Sequence, residues 1–329
     1  MQAIGYQKWL NILMILGGVL LVLFVNGTII SARVEPQTSR SSKQVSVNHI
    51  SKTEAAPVVA AALPSLQQTA GITLYLPIVI GTPPVTAGCN PTQGSGGLGP
   101  GTYITTVAGL NATVIVGKNY DPNKTTYLSF YLHGNDGSYT HFQSSNNQVN
   151  KFVNEHNWVF FAAQSPKGSS WSSNWDESVN EAFANALDEM FAKYNVCRGI
   201  VIGSAVSGGS IFWTGYFFPY RGGTHQAHVS LLCGALRGRK DAPDKVNQLG
   251  QDPGIVARST FDYIYGTEDY LYDNIQTSIG IYTNAGFNVD QLVIQGAGHC
   301  DQWFQVGLPN TSQRIVNDWA DRIEELDLE

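Results

Sequence analysis

The segment Gly199–Gly209, GIVIGSAVSGG, constrains this chain more than any other. The apolar, β-branched run Gly199–Ala205 reads as a buried strand. It enters Ala205-Val206-Ser207-Gly208-Gly209, and a helix-compatible stretch follows over Gly208–Phe217. A serine on a tight turn between strand and helix is strained and closely approached, so it needs small residues two positions to either side. Ala205 and Gly209 meet that need, whereas Ser204 and Ser210 lack small residues at both flanking positions. Ser207 is therefore the candidate nucleophile. The plainer reading is a small-residue turn that lets a helix pack on a sheet. Partners at other strand ends decide between the two.

The rest of the chain supplies those strands. Tyr103–Val107 and Thr113–Val116 flank a turn at Gly109–Asn111. Tyr127–Leu132, Trp158–Ala162, His228–Cys233, Phe261–Tyr265 and Gln291–Gln295 are further short apolar runs. Glu177–Tyr194 is the clearest helix, with Val179, Phe183, Leu187, Met190 and Phe191 at three-to-four spacing. Ile275–Ala285 and Ser312–Leu326 read as helices as well. Strands alternating with helices predict an α/β fold, a mostly parallel central sheet with helices on both faces. In such sheets the site lies at the carboxyl ends of the strands.

A serine hydroxyl is a poor nucleophile without a base. After Phe261–Tyr265 comes Gly266-Thr267-Glu268-Asp269, which puts Asp269 just past a strand end. Glu268 and Asp273 are rivals for the same role. After Gln291–Gln295 comes Gly296-Ala297-Gly298-His299. The order nucleophile, acid, histidine makes His299 the expected base and Asp269 the residue that orients it. The oxyanion needs two donors, expected from the amides of Gly208 and Asn135, the latter in the glycine-containing loop after Leu132. His133 is expected to brace that loop.

Four segments resemble the α/β-hydrolase superfamily, specifically secreted esterases of the polyhydroxybutyrate depolymerase and feruloyl esterase type. They are Ala87-Gly88-Cys89-Asn90 with Lys118–Pro122, Leu132-His133-Gly134 with Asp136-Gly137-Ser138, the elbow at Ser207, and Gly266–Asp269 with Gly298-His299. The resemblance covers residues 87–329. It implies a carboxylic ester hydrolase working through an acyl-enzyme, with Ser207, Asp269 and His299 as its charge-relay group and no cofactor. Two positions depart from the family pattern. Ala205 stands for the usual elbow glycine, and Val196-Cys197-Arg198 precedes the strand where the family usually carries an aspartate. A catalytically silent binding protein or a serine peptidase on the same scaffold are the rival readings.

Trp171 and Trp175, in the polar loop Ser169–Ser178, are expected either to line a substrate cleft or to cap the core. The glycine-rich Gly94–Gly101 lacks the ending of a phosphate loop, and no HExxH or CxxC pattern suggests a metal. Charged residues make up only 13% of the chain and the net charge is −6. That excludes a basic nucleic-acid binder and a charge-rich disordered chain. At the N-terminus, Lys8 precedes an almost continuous apolar run, Trp9–Val25, and small residues follow. Residues 1–32 thus read as a secretory signal or a membrane anchor. Residues 33–86 read as a flexible tether and 87–329 as the catalytic domain, secreted or membrane-anchored outside the cytoplasm. Its cysteines are then free to pair. Cys197 begins its strand while Cys233 and Cys300 follow theirs, so Cys197–Cys233 is not expected. A bond from Cys89 or Cys233 to Cys300 would brace the histidine loop.

Overall fold

The computed structural model describes residues 89–236, 238–301 and 311–326, together with the strands at 19–25, 28–34 and 47–48. The chain divides into two units, Met1–Gln44 and Val45–Glu329. In the first, β1 (Val19–Val25) pairs antiparallel with β2 (Thr28–Val34). The N-terminal half of the run read as a signal or anchor lies outside the described residues. Among the described residues no helix is long and apolar enough to cross a membrane.

The second unit is built on one sheet. Two residues of the expected tether, β3 (Val47–Asn48), belong to it. Then come β4 (Gly101–Val107), β5 (Leu110–Val116), β6 (Thr126–Leu132), α1 (Gln148–His156), β7 (Val159–Ala163), α2 (Glu177–Lys193) and β8 (Val196–Val206). The segment α3 (Gly208–Phe212), a π-helical turn (Trp213–Phe217) and α4 (Phe218–Arg221) follows without a break. After it come β9 (His228–Leu232), α5 (Ala242–Leu249), α6 (Pro253–Ala257), β10 (Thr260–Gly266), α7 (Tyr272–Asn284), β11 (Asn288–Ile294) and α8 (Thr311–Leu326). The strand order is β3-β11-β10-β9-β8-β6-β7-β5-β4. From β6 to β11 the neighbours run parallel, while β5 is antiparallel to both β4 and β7. This is the strand order of the α/β-hydrolase fold.

The sequence explains the layering. On β7, Val159, Phe161 and Ala163 join one core cluster while Phe160 and Ala162 join the other, as a period of two demands. The first cluster takes Val179, Phe183, Leu187 and Met190 from α2 and Ile275, Ile279 and Tyr282 from α7. The second takes Val149 and Phe152 from α1 and Ile315, Trp319 and Ile323 from α8. Every strand predicted from the sequence is present, most lengthened by one to three residues. The short helices α1, α5 and α6 leave no mark in the sequence, because segments of this length carry too few turns to display a period. The hairpin of β4 and β5 turns on Ala108 and Gly109, both at positive φ, the geometry that matches strand twist. Cys89 bonds Cys197, and Cys233 bonds Cys300. The first bond fastens the approach to the sheet onto the start of β8. The second joins the end of β9 to the loop after β11.

Candidate active site

Strand β8 stops at Val206 and the chain turns at Ser207, with φ 47° and ψ −110°. Such a conformation is costly for a residue with a side chain and persists only where its surroundings enforce it. Here they do. The Ser207 amide donates to Leu232 O at 2.8 Å, and Ile211 N donates back to Ser207 O at 2.9 Å. A Cβ on Gly209 would come within 2.3 Å of Leu132 O, and one on Gly234 within 2.5 Å of Ser207 O. Both positions therefore require glycine.

The loops after β10 and β11 are laced together. Thr267 N donates to Ile294 O, Glu268 N to Ala297 O, and Gly296 N to Thr267 Oγ1. Gly266 must be glycine, since a Cβ there would lie 2.0 Å from Ala297 O. This lacing brings Asp269 to His299. The His299 Nδ1 lies 2.9 Å from Asp269 Oδ1 and 3.1 Å from Oδ2. On its other side, His299 Nε2 lies 2.9 Å from Ser207 Oγ. Asp269 is buried and also accepts the Leu271 amide at 2.8 Å. Its rivals Glu268 and Asp273 are exposed, and Asp273 is in the first turn of α7. Cys300, next to His299, is bonded to Cys233, the residue after the Leu232 that holds the Ser207 amide. One covalent link thus ties the histidine loop to the strand that seats the serine.

Gly208 opens α3, where the first N–H groups lack partners within the helix. Asn135 sits beside it: a Cβ on Gly208 would fall 2.7 Å from Asn135 Oδ1. The loop bearing Asn135 is pinned through His133, which is buried. The Ser165 amide donates to His133 Nε2 at 3.1 Å, which leaves the ring proton on Nδ1 to donate to Gly134 O at 2.8 Å. Burial holds this imidazole below its ordinary pKa, so it stays neutral. His133 is a brace, as expected. A pocket of about 250 Å³ opens at Ser207 and Gly208. Ile211 and Leu271 form its buried apolar part, Asn135, Ser172 and Ser173 its polar side, and Tyr216 and Tyr270 two aromatic walls. Tyr270 is 69% exposed and its ring centroid lies 4.3 Å from that of His299.

The arrangement sets a serine hydroxyl against one nitrogen of an imidazole whose other nitrogen faces a buried carboxylate. No protein-family model and no curated protein sequence matches this chain. Solved structures similar to it include a feruloyl esterase module from Clostridium thermocellum, at 16% identity, 67% of this chain, 87% of that chain and a TM-score of 0.47. Another is Est1E from Butyrivibrio proteoclasticus, at 12% identity, 70% of this chain, 100% of that chain and a TM-score of 0.47. A third is a fluorophosphonate-binding serine hydrolase from Staphylococcus aureus, at 15% identity, 68% of this chain, 99% of that chain and a TM-score of 0.48.

The structure brings Ser207, Asp269, His299, Gly208 and Asn135 together and corrects the two tryptophans. Trp171 does not line the cleft. It is fully buried between Phe183 and Phe212, at centroid distances of 5.3 and 5.1 Å. Its loop turns the indole inward and leaves the neighbouring Ser172 and Ser173 to face the pocket. Trp175 stands behind the wall rather than in it, stacked on Tyr216 at 4.6 Å. Sequence reasoning missed Tyr216 and Tyr270. Tyr270 was within reach as the neighbour of Asp269, but nothing in the sequence marks Tyr216. The grouping Cys233, His299 and Cys300 is not free for a cation, because its sulfurs are joined and its imidazole lies between Asp269 and Ser207.

Proposed function

We propose that this protein is a serine esterase that hydrolyses carboxylic esters through an acyl-enzyme. The 2.9 Å approach of Ser207 Oγ to His299 Nε2 carries the reading. Ser207 Oγ attacks the ester carbonyl carbon as its proton passes to His299 Nε2. Asp269 accepts from Nδ1–H, fixes the tautomer and stabilises the imidazolium. The Gly208 and Asn135 amides hold the oxyanion. Collapse breaks the bond to the alcohol, which leaves with the proton from Nε2. Water then repeats the sequence against the acyl-serine, releasing the acid and restoring Ser207. Polymer, feruloyl, acetyl-sugar and hydroxyalkanoate esters are the substrate classes in view.

The working compartment is outside the cytoplasm. Two disulfides favour an oxidising environment, and the cationic start and apolar run suit export. Sequencing the N-terminus of exported protein tests this, and a chain retained in the cytoplasm overturns it. The chemistry is tested by fluorophosphonate labelling and p-nitrophenyl ester turnover. Wild type is expected to label at Ser207 and turn over. Ser207→Ala is expected to lose labelling and about 10⁴-fold or more in kcat/KM. A wild type that neither labels nor hydrolyses any short ester overturns the proposal.

A further inference from the structure

The helical segment that starts at the nucleophile is irregular where it meets the pocket. Trp213–Phe217 form a π-helical turn, a rare feature that inserts an extra residue and disturbs the backbone ladder. Groups from other parts of the chain take up its polar atoms. Tyr282 Oη donates to Thr214 O at 2.8 Å, and Asn180 Nδ2 donates to Tyr216 O at 2.9 Å. Leu236 N donates to Thr214 Oγ1 at 2.9 Å. Asn180, fully buried on α2, also accepts Trp175 Nε1 at 3.2 Å. The Trp175 ring lies nearly parallel to Tyr216, at 26°. Arg239 backs Trp175 with its guanidinium 5.8 Å from the ring centroid. Tyr216 is thus held by its carbonyl and by its ring, through one asparagine that serves both.

The pocket has two aromatic ends, and only the Tyr270 end lies against His299. His299 hands its proton to the departing alcohol, so the alcohol must lie against His299, beneath Tyr270. The pocket has Ser207, Gly208 and Asn135 among its walls, with Tyr216 as its aromatic wall apart from Tyr270. Its volume of about 250 Å³ falls below the roughly 300 Å³ at which pockets begin to enclose drug-sized ligands.

Building on the esterase reading, we propose that the acyl group takes the Tyr216 end of this pocket and that Tyr216 restricts this protein to compact, non-aromatic acyl groups. Trp175 and Asn180 are positioning residues that act through it. A straight acyl group of four or five carbons fits the space. A hydroxycinnamoyl group would meet the Tyr216 ring, which removes feruloyl esters from the substrate classes named above.

The test is a set of p-nitrophenyl esters differing only in the acyl part: acetate, butyrate, octanoate and cinnamate. For wild type, kcat/KM for butyrate is expected to exceed that for octanoate and cinnamate by at least about tenfold, the scale on which pocket fit discriminates. Tyr216→Ala is expected to raise the octanoate-to-butyrate ratio about tenfold or more, chiefly through KM for octanoate, and Tyr216→Phe to keep the wild-type ratio. Trp175→Leu and Asn180→Leu are expected to shift the ratio in the same direction by less, with Trp175→Phe restoring most of it. Wild type that takes octanoate or cinnamate as readily as butyrate overturns the inference even if Tyr216→Ala fails to fold. So does a folded Tyr216→Ala with an unchanged ratio. Either result, with Ser207 still labelled by fluorophosphonate, leaves the esterase reading standing. Absence of both labelling and turnover in wild type overturns the reading and this inference with it.

Discussion

At the scale of single residues, the site depends on how little freedom its groups have. Asp269 offers both carboxylate oxygens to His299 Nδ1 and one of them also to the Leu271 amide. Its negative charge is what keeps the proton on Nδ1 and leaves Nε2 free to receive the Ser207 proton. An amide at 269 preserves the shape but presents a donor toward Nδ1, which favours the wrong tautomer. Asp269→Asn is therefore expected to lower kcat by about 10⁴ while KM for a short ester changes little. Steady-state kinetics on p-nitrophenyl butyrate checks this, and a loss below tenfold would remove Asp269 from the relay. Ser207, Asp269 and His299 were legible in the sequence because each follows a strand and a small-residue turn marks each place. The Trp171 indole was not legible, since which side of a polar loop turns inward depends on the Phe183 and Phe212 it meets.

At the scale of elements, α8 covers one face of the sheet with a mixed contact. Trp319 is buried, stacks on Trp158 and donates to Ser204 Oγ at 3.0 Å. Beside it Arg322 Nη2 donates to both carboxylate oxygens of Asp262, each at 2.7 Å. Asp318 is buried with Arg314 at 3.1 Å. Burial raises the Asp318 pKa to about 7, with Asp262 and Asp321 adding to the rise, and Arg314 and Ser230 only partly offset it. The folded protein therefore binds this proton more tightly than the unfolded chain does. Asp318 contributes its full stability below its ordinary pKa of 3.8 and loses it as pH rises through about 7. Asp318→Asn is expected to gain stability relative to wild type between pH 4 and pH 8, read as the difference in urea midpoints. A difference that stays flat or falls would show that the Arg314 pair outweighs burial. The amphipathic pattern of α8 was plain in the sequence. The polar partners beneath it were not, because Asp262 and Ser230 are on strands far away in the chain. The π-helical turn was hidden for a related reason, as its stabilising groups Asn180 and Tyr282 come from α2 and α7.

At the scale of the molecule, the sheet has two margins treated differently. At one, β4 carries the exposed Thr102, Ile104 and Thr106. At the other, β11 is partnered by Val47–Asn48, with Val293 opposite Asn48 and Ile294 opposite Val47. The second compact unit begins at Val45, while the change in composition lies at residue 87. The difference matters to anyone shortening the gene. Protein begun at residue 87 retains the whole relay and yet bares backbone donors and acceptors of β11, an invitation to pair with another copy. Such protein is expected to self-associate at concentrations where a chain begun at residue 45 stays dispersed, with light scattering as the measure. Equal dispersity of the two would mean that β3 is dispensable to solubility. If the expected difference is found, two residues far from any chemistry decide whether the protein can be handled at all.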